Sequence, residues 1–188
     1  MRKTLYLALL LVAAPFVFAA DAEHAVIHTV LTAVGRANHA HGLAPAAVRT
    51  MTAGGCDSFA TQWIKKVTGD VIGGELAASY EKVNADPEPV TDFLPKLVKD
   101  IQVDEPYDFA KINAEFPAAK SLIVFSRPAF DSLGSVAFVR ADVIPREGQA
   151  TTTFYELEHQ PNDTWKLGRM ATMTYDAARH SDVHLSAR

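Results

Sequence analysis

Residues 117–130, PAAKSLIVFSRPAF, mark the point at which this chain changes from helical to extended patterning. Apolar residues recur at helical spacing before this stretch, and runs rich in β-branched and aromatic residues follow it. Pro128 removes a backbone donor and restricts Arg127 to extended geometry, which is typical of a strand end or a sheet edge. The stretch therefore predicts an α+β chain, with helices first and a sheet last.

Four runs predict the strands of that sheet, at residues 121–126, 135–143, 151–158 and 164–175. The segments between them, DSLG, PREG and QPND, have the composition of turns. Consecutive strands joined by short turns usually pair with each other. We therefore predict a C-terminal four-stranded antiparallel meander, with one face packed on the N-terminal helices.

Amphipathic helices are predicted before the sheet. Their apolar faces are, in chain order, Val26, Ile27, Val30, Leu31 and Val34; Phe59, Trp63, Ile64 and Val67; Phe93, Leu94, Leu97 and Val98; and Phe109, Ile112 and Phe116. Asp57 is a suitable N-cap for the second of these helices, and a further helix is predicted around Glu75–Val83. Gly42 and Pro45 end the first helix.

Residues 1–20 have the pattern of a secretory signal peptide. Arg2 and Lys3 precede the apolar stretch Leu5–Phe18, and small residues follow at the expected cleavage site. The apolar stretch is too short for a membrane-spanning helix. We therefore expect the chain to be exported to the periplasm or secreted, with no membrane anchor after cleavage.

The expected mature chain, residues 21–188, is predicted to form a single α+β domain. Its helices would lie in 23–117, its sheet in 120–175 and a C-terminal tail in 176–188. Removal of the signal leaves 16 basic against 22 acidic residues, a formal charge of −6. Such a surface disfavours nucleic acid and anionic lipid as partners.

A set of short motifs lies between Tyr80 and Lys166. They are Asp92-Phe93-Leu94, Phe116-Pro117, Ser126-Arg127 with Phe130, Ala137-Phe138-Val139, Tyr155 with Leu157, and Trp165-Lys166. In these motifs the chain resembles a group of uncharacterised secreted bacterial proteins. Members of that group often carry a Cys-Gly and Gly-x-Gly stretch where this chain has IPREGQA, so no function of that loop is transferred. The resemblance implies a fold and an exported location, without a known activity.

Arg127 and Trp165 are the predicted binding residues. A guanidinium held rigidly beside a sheet can bind a carboxylate or phosphate through two hydrogen bonds, although Arg127 can equally form an ion pair within this acidic protein. Ser126 lacks the Gly-x-Ser-x-Gly turn of a serine nucleophile, so we interpret it as a strand-end hydrogen-bonding residue.

Cys56 is the candidate catalytic nucleophile, with His159 as its distal partner. Its segment, GGCDSFATQW, resembles the nucleophile segment of secreted cell-wall cysteine peptidases, and a helix N-terminus lowers the pKa of a thiol. However, the chain has no histidine between Cys56 and His159, whereas those enzymes place a catalytic histidine within some tens of residues. A small buried hydrophobic residue is the alternative interpretation of Cys56, which as the single cysteine cannot form an intramolecular disulfide.

His24 and His28 are the candidate metal ligands. They are four residues apart on a predicted helix, which places both imidazoles on one face. The catalytic His-Glu-x-x-His pattern is missing, and no cofactor is predicted.

The sequence therefore favours a non-enzymatic binding or interaction protein. It would bind a protein or a small molecule on the concave side of its sheet or in a cleft beneath its helices. The alternatives are a cysteine hydrolase that acts on cell-wall material through Cys56, and a periplasmic metal-binding protein.

Overall fold

The computed structural model describes residues 3–54, 58–68, 70–89, 100–102 and 107–176. Four helices and seven strands occur in these residues. The helices are α1 (Lys3–Ala40), α2 (Ser58–Thr68), α3 (Asp70–Val83) and α4 (Phe109–Glu115). The strands are β1 (Ala46–Arg49), β2 (Asp100–Ile101), β3 (Ser121–Phe125), β4 (Ala129–Phe130), β5 (Val136–Pro145), β6 (Gln149–His159) and β7 (Trp165–Asp176). The α+β architecture predicted from the sequence is therefore observed.

Helix α1 contains both the predicted signal segment and the first predicted amphipathic helix. It ends at a glycine in the left-handed conformation, Gly42, whose φ is 72°. The amide of Leu43 donates to the carbonyl of Asn38 at 2.8 Å, which satisfies one of the last helical carbonyls. No helix in the described part of the chain is long and apolar enough to cross a membrane.

The strands form one mixed sheet in the order β2-β1-β3-β5-β6-β7, and β4 pairs with β5. Strands β3, β5, β6 and β7 pair antiparallel along this order, as the sequence predicts. The prediction of a four-stranded, purely antiparallel sheet is wrong, because β1 pairs parallel with both β2 and β3. These two extra strands come from the part of the chain that was predicted to be helical.

Both missed strands are short, and β1 has no alternating pattern. Its burial is continuous from Ala47 to Arg49, because β1 lies inside the sheet with residues packed on both faces. Alternation of polar and apolar residues is the usual mark of a strand that is buried on one face only. The missing alternation explains why AAVR was not recognised as a strand.

The two faces of the sheet pack against different helices. Face A, the face that packs against α1, carries Val48, Ile123, Phe125, Ala137, Val139, Ala141, Val143, Tyr155, Leu157 and Trp165. Face B carries Ala47, Leu122, Val124, Ile144 and Ala150 near α4, and Phe138 and Phe154 beneath α2 and α3. Between these two groups Asp142 is buried on face B, where it accepts hydrogen bonds from Arg140 and Thr152. The side chain of Asp142 is thus paired inside an otherwise apolar layer.

Candidate functional site

Ser126 lies where β3 ends and β4 begins. Phe125 pairs with Ala141 and Ala129 pairs with Phe138, so three residues on this side oppose two on β5. The amide of Ser126 donates to the carbonyl of Arg140, and its Oγ accepts the Arg140 amide, both at 2.9 Å. Ser126 therefore completes the ladder at a β-bulge, which agrees with its interpretation as a strand-end hydrogen-bonding residue.

Arg127 is the extra residue that projects from this bulge, and it forms ion pairs with two glutamates. Its Nε and Nη2 donate to Glu23 at 3.1 to 3.2 Å, and its Nη1 donates to Glu88 at 2.6 Å. The hydrogen bond with Glu23 is the main cause that raises the pKa of Arg127, against the opposing effect of burial. The sequence analysis offered an ion pair of Arg127 with an acidic residue of the same protein as one interpretation, and this ion pair is observed.

Asn84 fixes the backbone of Arg127. Its Oδ1 accepts from the Arg127 amide at 2.6 Å, while its Nδ2 donates to the carbonyls of Arg127 and Tyr80, both at 3.0 Å. Helix α3 therefore ends on the bulge, and the ion pairs of Arg127 join the bulge to α1 and to Glu88. Ligand binding by Arg127 remains a prediction, and the proposal below does not depend on it.

Trp165 begins β7 and is buried on face A, with 8% of its surface exposed. Its ring centroid lies 5.6 Å from that of Phe130 and 4.9 Å from that of His159. These rings hold the indole in one position at the end of the sheet that carries the β6–β7 turn.

A groove runs between α1 and the start of β7. Its lining residues are His28, Thr29, Thr32, Ala33 and Arg36 from the helix, and Trp165, Lys166 and Leu167 from the strand. Its volume of about 410 Å³ is within the range of about 300–1,000 Å³ that small-molecule sites occupy. The groove brings together Trp165 and His28, which the sequence analysis assigned to two separate sites.

The helical wall of the groove carries one guanidinium, that of Arg36. His28, Thr32 and Arg36 follow one another at intervals of four residues, so they share one face of α1 over about 12 Å. Neither Arg36 nor His28 has an ion pair with any described residue, and none of the described lining residues is acidic. Lys166 leaves β7 on the opposite side from Trp165 and Leu167, because side chains alternate along a strand.

The two threonines of this wall use their hydroxyl hydrogens within the helix. Thr29 Oγ1 donates to the carbonyl of Ala25 at 2.9 Å, and Thr32 Oγ1 donates to that of His28 at 2.8 Å. Each hydroxyl hydrogen is thus used within the helix, and the oxygen lone pairs remain for a ligand N–H or O–H. The groove therefore offers a guanidinium, hydroxyl acceptors and part of an aromatic residue side by side.

A second depression lies at the far end of α1 and is lined by Gly42, Leu43, Pro117, Ala118, Ala119, Lys120, Pro145, Arg146 and Glu147. Its charges are mixed, and no aromatic residue lines it. The Arg146 amide donates to the carbonyl of Lys120 at 2.9 Å, so part of its polar lining is already paired. This depression has fewer features of a ligand site than the α1–β7 groove.

The candidate metal ligands His24 and His28 are both exposed on α1, and their ring centroids are 6.4 Å apart. No group of three or more His, Cys, Asp or Glu side chains suited to a metal ion occurs among the residues the structure describes. Metal binding by this pair remains a prediction without a further ligand to support it.

The candidate catalytic pair cannot be assembled from the structure. Cys56 lies outside the described residues. The His159 ring contacts that of Trp165 at an interplanar angle of 43°, and its Nε2 lies 3.2 Å from Oδ1 of Asp163 in the β6–β7 turn. The hypothesis of a cysteine hydrolase therefore remains a prediction from the sequence.

Sequence reasoning missed Arg36. Its spacing of eight residues from His28 placed it on the same helical face, but an exposed arginine on a helix is too common to indicate a site. Only the packing of β7 against α1 shows that Arg36 faces a groove.

Comparison with protein-family models, with curated proteins and with solved structures finds no match for this chain.

Proposed function

We propose that this chain is an exported, non-enzymatic binding protein that holds a small anionic ligand in the α1–β7 groove. The ligand would carry a carboxylate or phosphate for Arg36 and a flat apolar part that packs beside Trp165. Export is expected from the signal-like segment at residues 1–20.

The observation that carries this proposal is the placement of Arg36 and Trp165 on opposite walls of one groove. A guanidinium offers a rigid fork of donors that matches the oxygens of a carboxylate or phosphate. Trp165 is held by neighbouring rings and is only 8% exposed, so it contributes a small apolar patch in a fixed position, with little conformational entropy to lose on binding. Together they can hold a ligand at its charged end and at the apolar atoms beside this patch.

Charge favours an anion at this position. The expected mature chain has a formal charge of −6, whereas the described lining of the groove contains basic residues and no acidic ones. A local positive region in an acidic protein attracts an anion to that region and not to the rest of the surface. Thr29 and Thr32 add acceptors, so an anion that also carries an N–H or O–H donor fits best.

The test measures melting temperature and tryptophan fluorescence on protein purified after expression of the full chain. The probes are indole-3-acetate and phenyl phosphate, each compared with a neutral analogue, indole-3-acetamide or phenol. A ligand that binds only the folded state raises the melting temperature by mass action. A Trp63→Phe background leaves Trp165 as the only tryptophan of the protein. Its fluorescence is followed with phenyl phosphate and phenol, which lack the indole emission, and the indole probes are followed by melting temperature alone.

Arg36→Gln is the decisive variant, with Arg146→Gln as the matched control on the second depression. We expect the anions to raise the melting temperature more than the neutral analogues, and Arg36→Gln to weaken anion binding by about tenfold or more. Arg146→Gln should bind as the wild type does. The proposal fails if none of the probes binds, or if Arg36→Gln binds the anions with unchanged affinity.

A further inference from the structure

We propose that the exported form of this chain begins at Ala20, because its signal segment is removed at the bond between Ala19 and Ala20. This bond is a proteolytic processing site for a signal peptidase, the class of enzyme that cuts after small residues. The proposal rests on the export that is part of the proposed function, and it is independent of the groove.

Two bonds fit the small-residue pattern of signal cleavage. Val17 and Ala19, with one residue between them, precede the first bond, and Ala20 and Ala22 precede the second bond in the same arrangement. Cleavage after Ala20 would leave Phe18, a large ring, at one of the two positions that should be small. The bonds after Ala19 and after Ala22 are therefore the two candidates.

Helix α1 runs without interruption through both bonds, so the position of the cut decides which of its hydrogen bonds are kept. In an α-helix each amide donates to the carbonyl four residues earlier. The Val26 amide thus uses the carbonyl of Ala22, and the Ala25 amide uses that of Asp21. Cleavage after Ala22 removes both carbonyls, whereas cleavage after Ala19 keeps them.

The Val26 amide is the donor that most needs its acceptor. Val26 lies in the core between α1 and face A, with 0% of its surface exposed. Water cannot reach this amide without entering the core, and a buried donor without an acceptor is destabilising. Ala22 itself packs against the same core cluster. A chain that begins at Glu23 would therefore lose packing and a buried hydrogen bond together.

The ion pair of Glu23 with Arg127 also favours the earlier cut. Glu23 is 6% exposed, and its carboxylate accepts from Nε and Nη2 of Arg127 at 3.1 to 3.2 Å. Cleavage after Ala22 would create an α-ammonium on this buried residue, close to the like charge of the guanidinium. Cleavage after Ala19 places the new ammonium three residues before Glu23, so the ion pair stays on a residue within the helix.

The residues that follow the earlier cut suit the start of a helix. Asp21 is exposed and can cap the new first turn, because an aspartate at this position accepts a backbone amide. Asp21 and Glu23 also bring negative charge to the positive end of the helix, whereas the first turn of the uncut α1 contains no acidic residue. The later cut would discard Asp21.

The test expresses the full chain, with its own signal segment and a C-terminal tag, in a Gram-negative host. Intact-mass spectrometry and N-terminal sequencing identify the first residue of the protein from the periplasm and from the whole cell. Ala19→Leu blocks the proposed bond, because a large residue then precedes it directly. Ala20→Leu is the matched control, since residue 20 follows the proposed bond but occupies one of the two small positions before the alternative bond.

We expect the wild type to begin at Ala20, the Ala20→Leu protein to begin at the same position, and Ala19→Leu to abolish this product. A periplasmic wild type that begins at any other residue, Glu23 above all, would overturn the proposal and leave export intact. So would an Ala19→Leu protein that still begins at Ala20, or an Ala20→Leu protein that is no longer cut after Ala19. A wild type that keeps its signal segment would overturn both this proposal and the expectation of export.

Discussion

Ser126 Oγ accepts the backbone amide of Arg140 at 2.9 Å, so a side chain takes the place of a main-chain carbonyl at the bulge between β3 and β4. Ser126 is 1% exposed, and water cannot replace this acceptor without entering the sheet. The hydroxyl in SLIVFSRPAF is thus explained by backbone pairing and needs no catalytic role.

Replacement of Ser126 by alanine should therefore destabilise the protein. The Arg140 amide would be left buried without an acceptor, which costs about 1–3 kcal/mol of unfolding free energy. Urea denaturation followed by circular dichroism measures the change. Ser79→Ala, at a half-buried position on α3 whose hydroxyl has no hydrogen bond to a described residue, should change stability by less than about 0.5 kcal/mol. Equal stabilities of the two variants would contradict the structural role of Ser126.

Two adjacent glycines of α3 should respond in opposite directions to replacement by alanine. A Cβ on Gly73 would lie 2.7 Å from Cα of Lys65 in α2, whereas a Cβ on Gly74 would meet nothing within 4 Å. Gly73→Ala should force α2 and α3 apart and cost about 1–3 kcal/mol. Gly74→Ala should stabilise the protein by up to about 1 kcal/mol, because alanine has the higher helix propensity.

Thermal and urea denaturation of the two variants side by side provide the measurement. The same sign of change for both would show that α2 and α3 do not approach closely at Gly73. The pair is informative because chain position, residue type and helix are matched, and only the space around the added methyl group differs.

Stability should also depend on the protonation of Glu156. Glu156 is 6% exposed, and its Oε2 has no hydrogen-bond partner among the described residues. Burial raises the pKa of Glu156 above its ordinary value of 4.5, while Arg169, 4.0 Å away, lowers it to a smaller extent. The folded state therefore holds this proton more tightly than the unfolded state.

The sign of the effect follows from this raised pKa. The stability that the protonated carboxyl contributes is fully present below pH 4.5 and is lost as the pH rises through the raised value. Glu156→Gln should therefore unfold at a higher urea concentration than the wild type at pH 7, and the difference should shrink as the pH falls towards 4.5. Glu115→Gln, an exposed change on α4, should show no such trend. A Glu156→Gln protein that is less stable at pH 7 would contradict the argument.

Local patterns predicted several elements well. The face formed by Phe59, Trp63 and Ile64 predicted α2, and in the structure Trp63 and Ile64 pack over Phe138 and Phe154. The strands that became β5, β6 and β7 were predicted from runs of β-branched residues between turns. These signals are local, because the hydrophobic periodicity of a helix or a strand depends only on residues that are close in sequence.

Contacts distant in sequence could not be predicted in the same way. Strand β1 was missed because burial on both faces removes alternation. The groove was missed because Arg36 and Trp165 belong to elements far apart in the chain, and no periodicity connects them. The Cys56 segment and the predicted helix with Phe93 and Leu94 lie outside the described residues, so those predictions stand as they were.

The sequence by itself determined that helices precede a sheet, and where most of the strands run, because these depend on the spacing of apolar residues over a few turns. Only the tertiary structure decided that Arg127 pairs with Glu23, 104 residues away, and that Arg36 faces Trp165 across a groove. Which charges become neighbours depends on how the helices pack on the sheet, and that packing is a property of the whole chain.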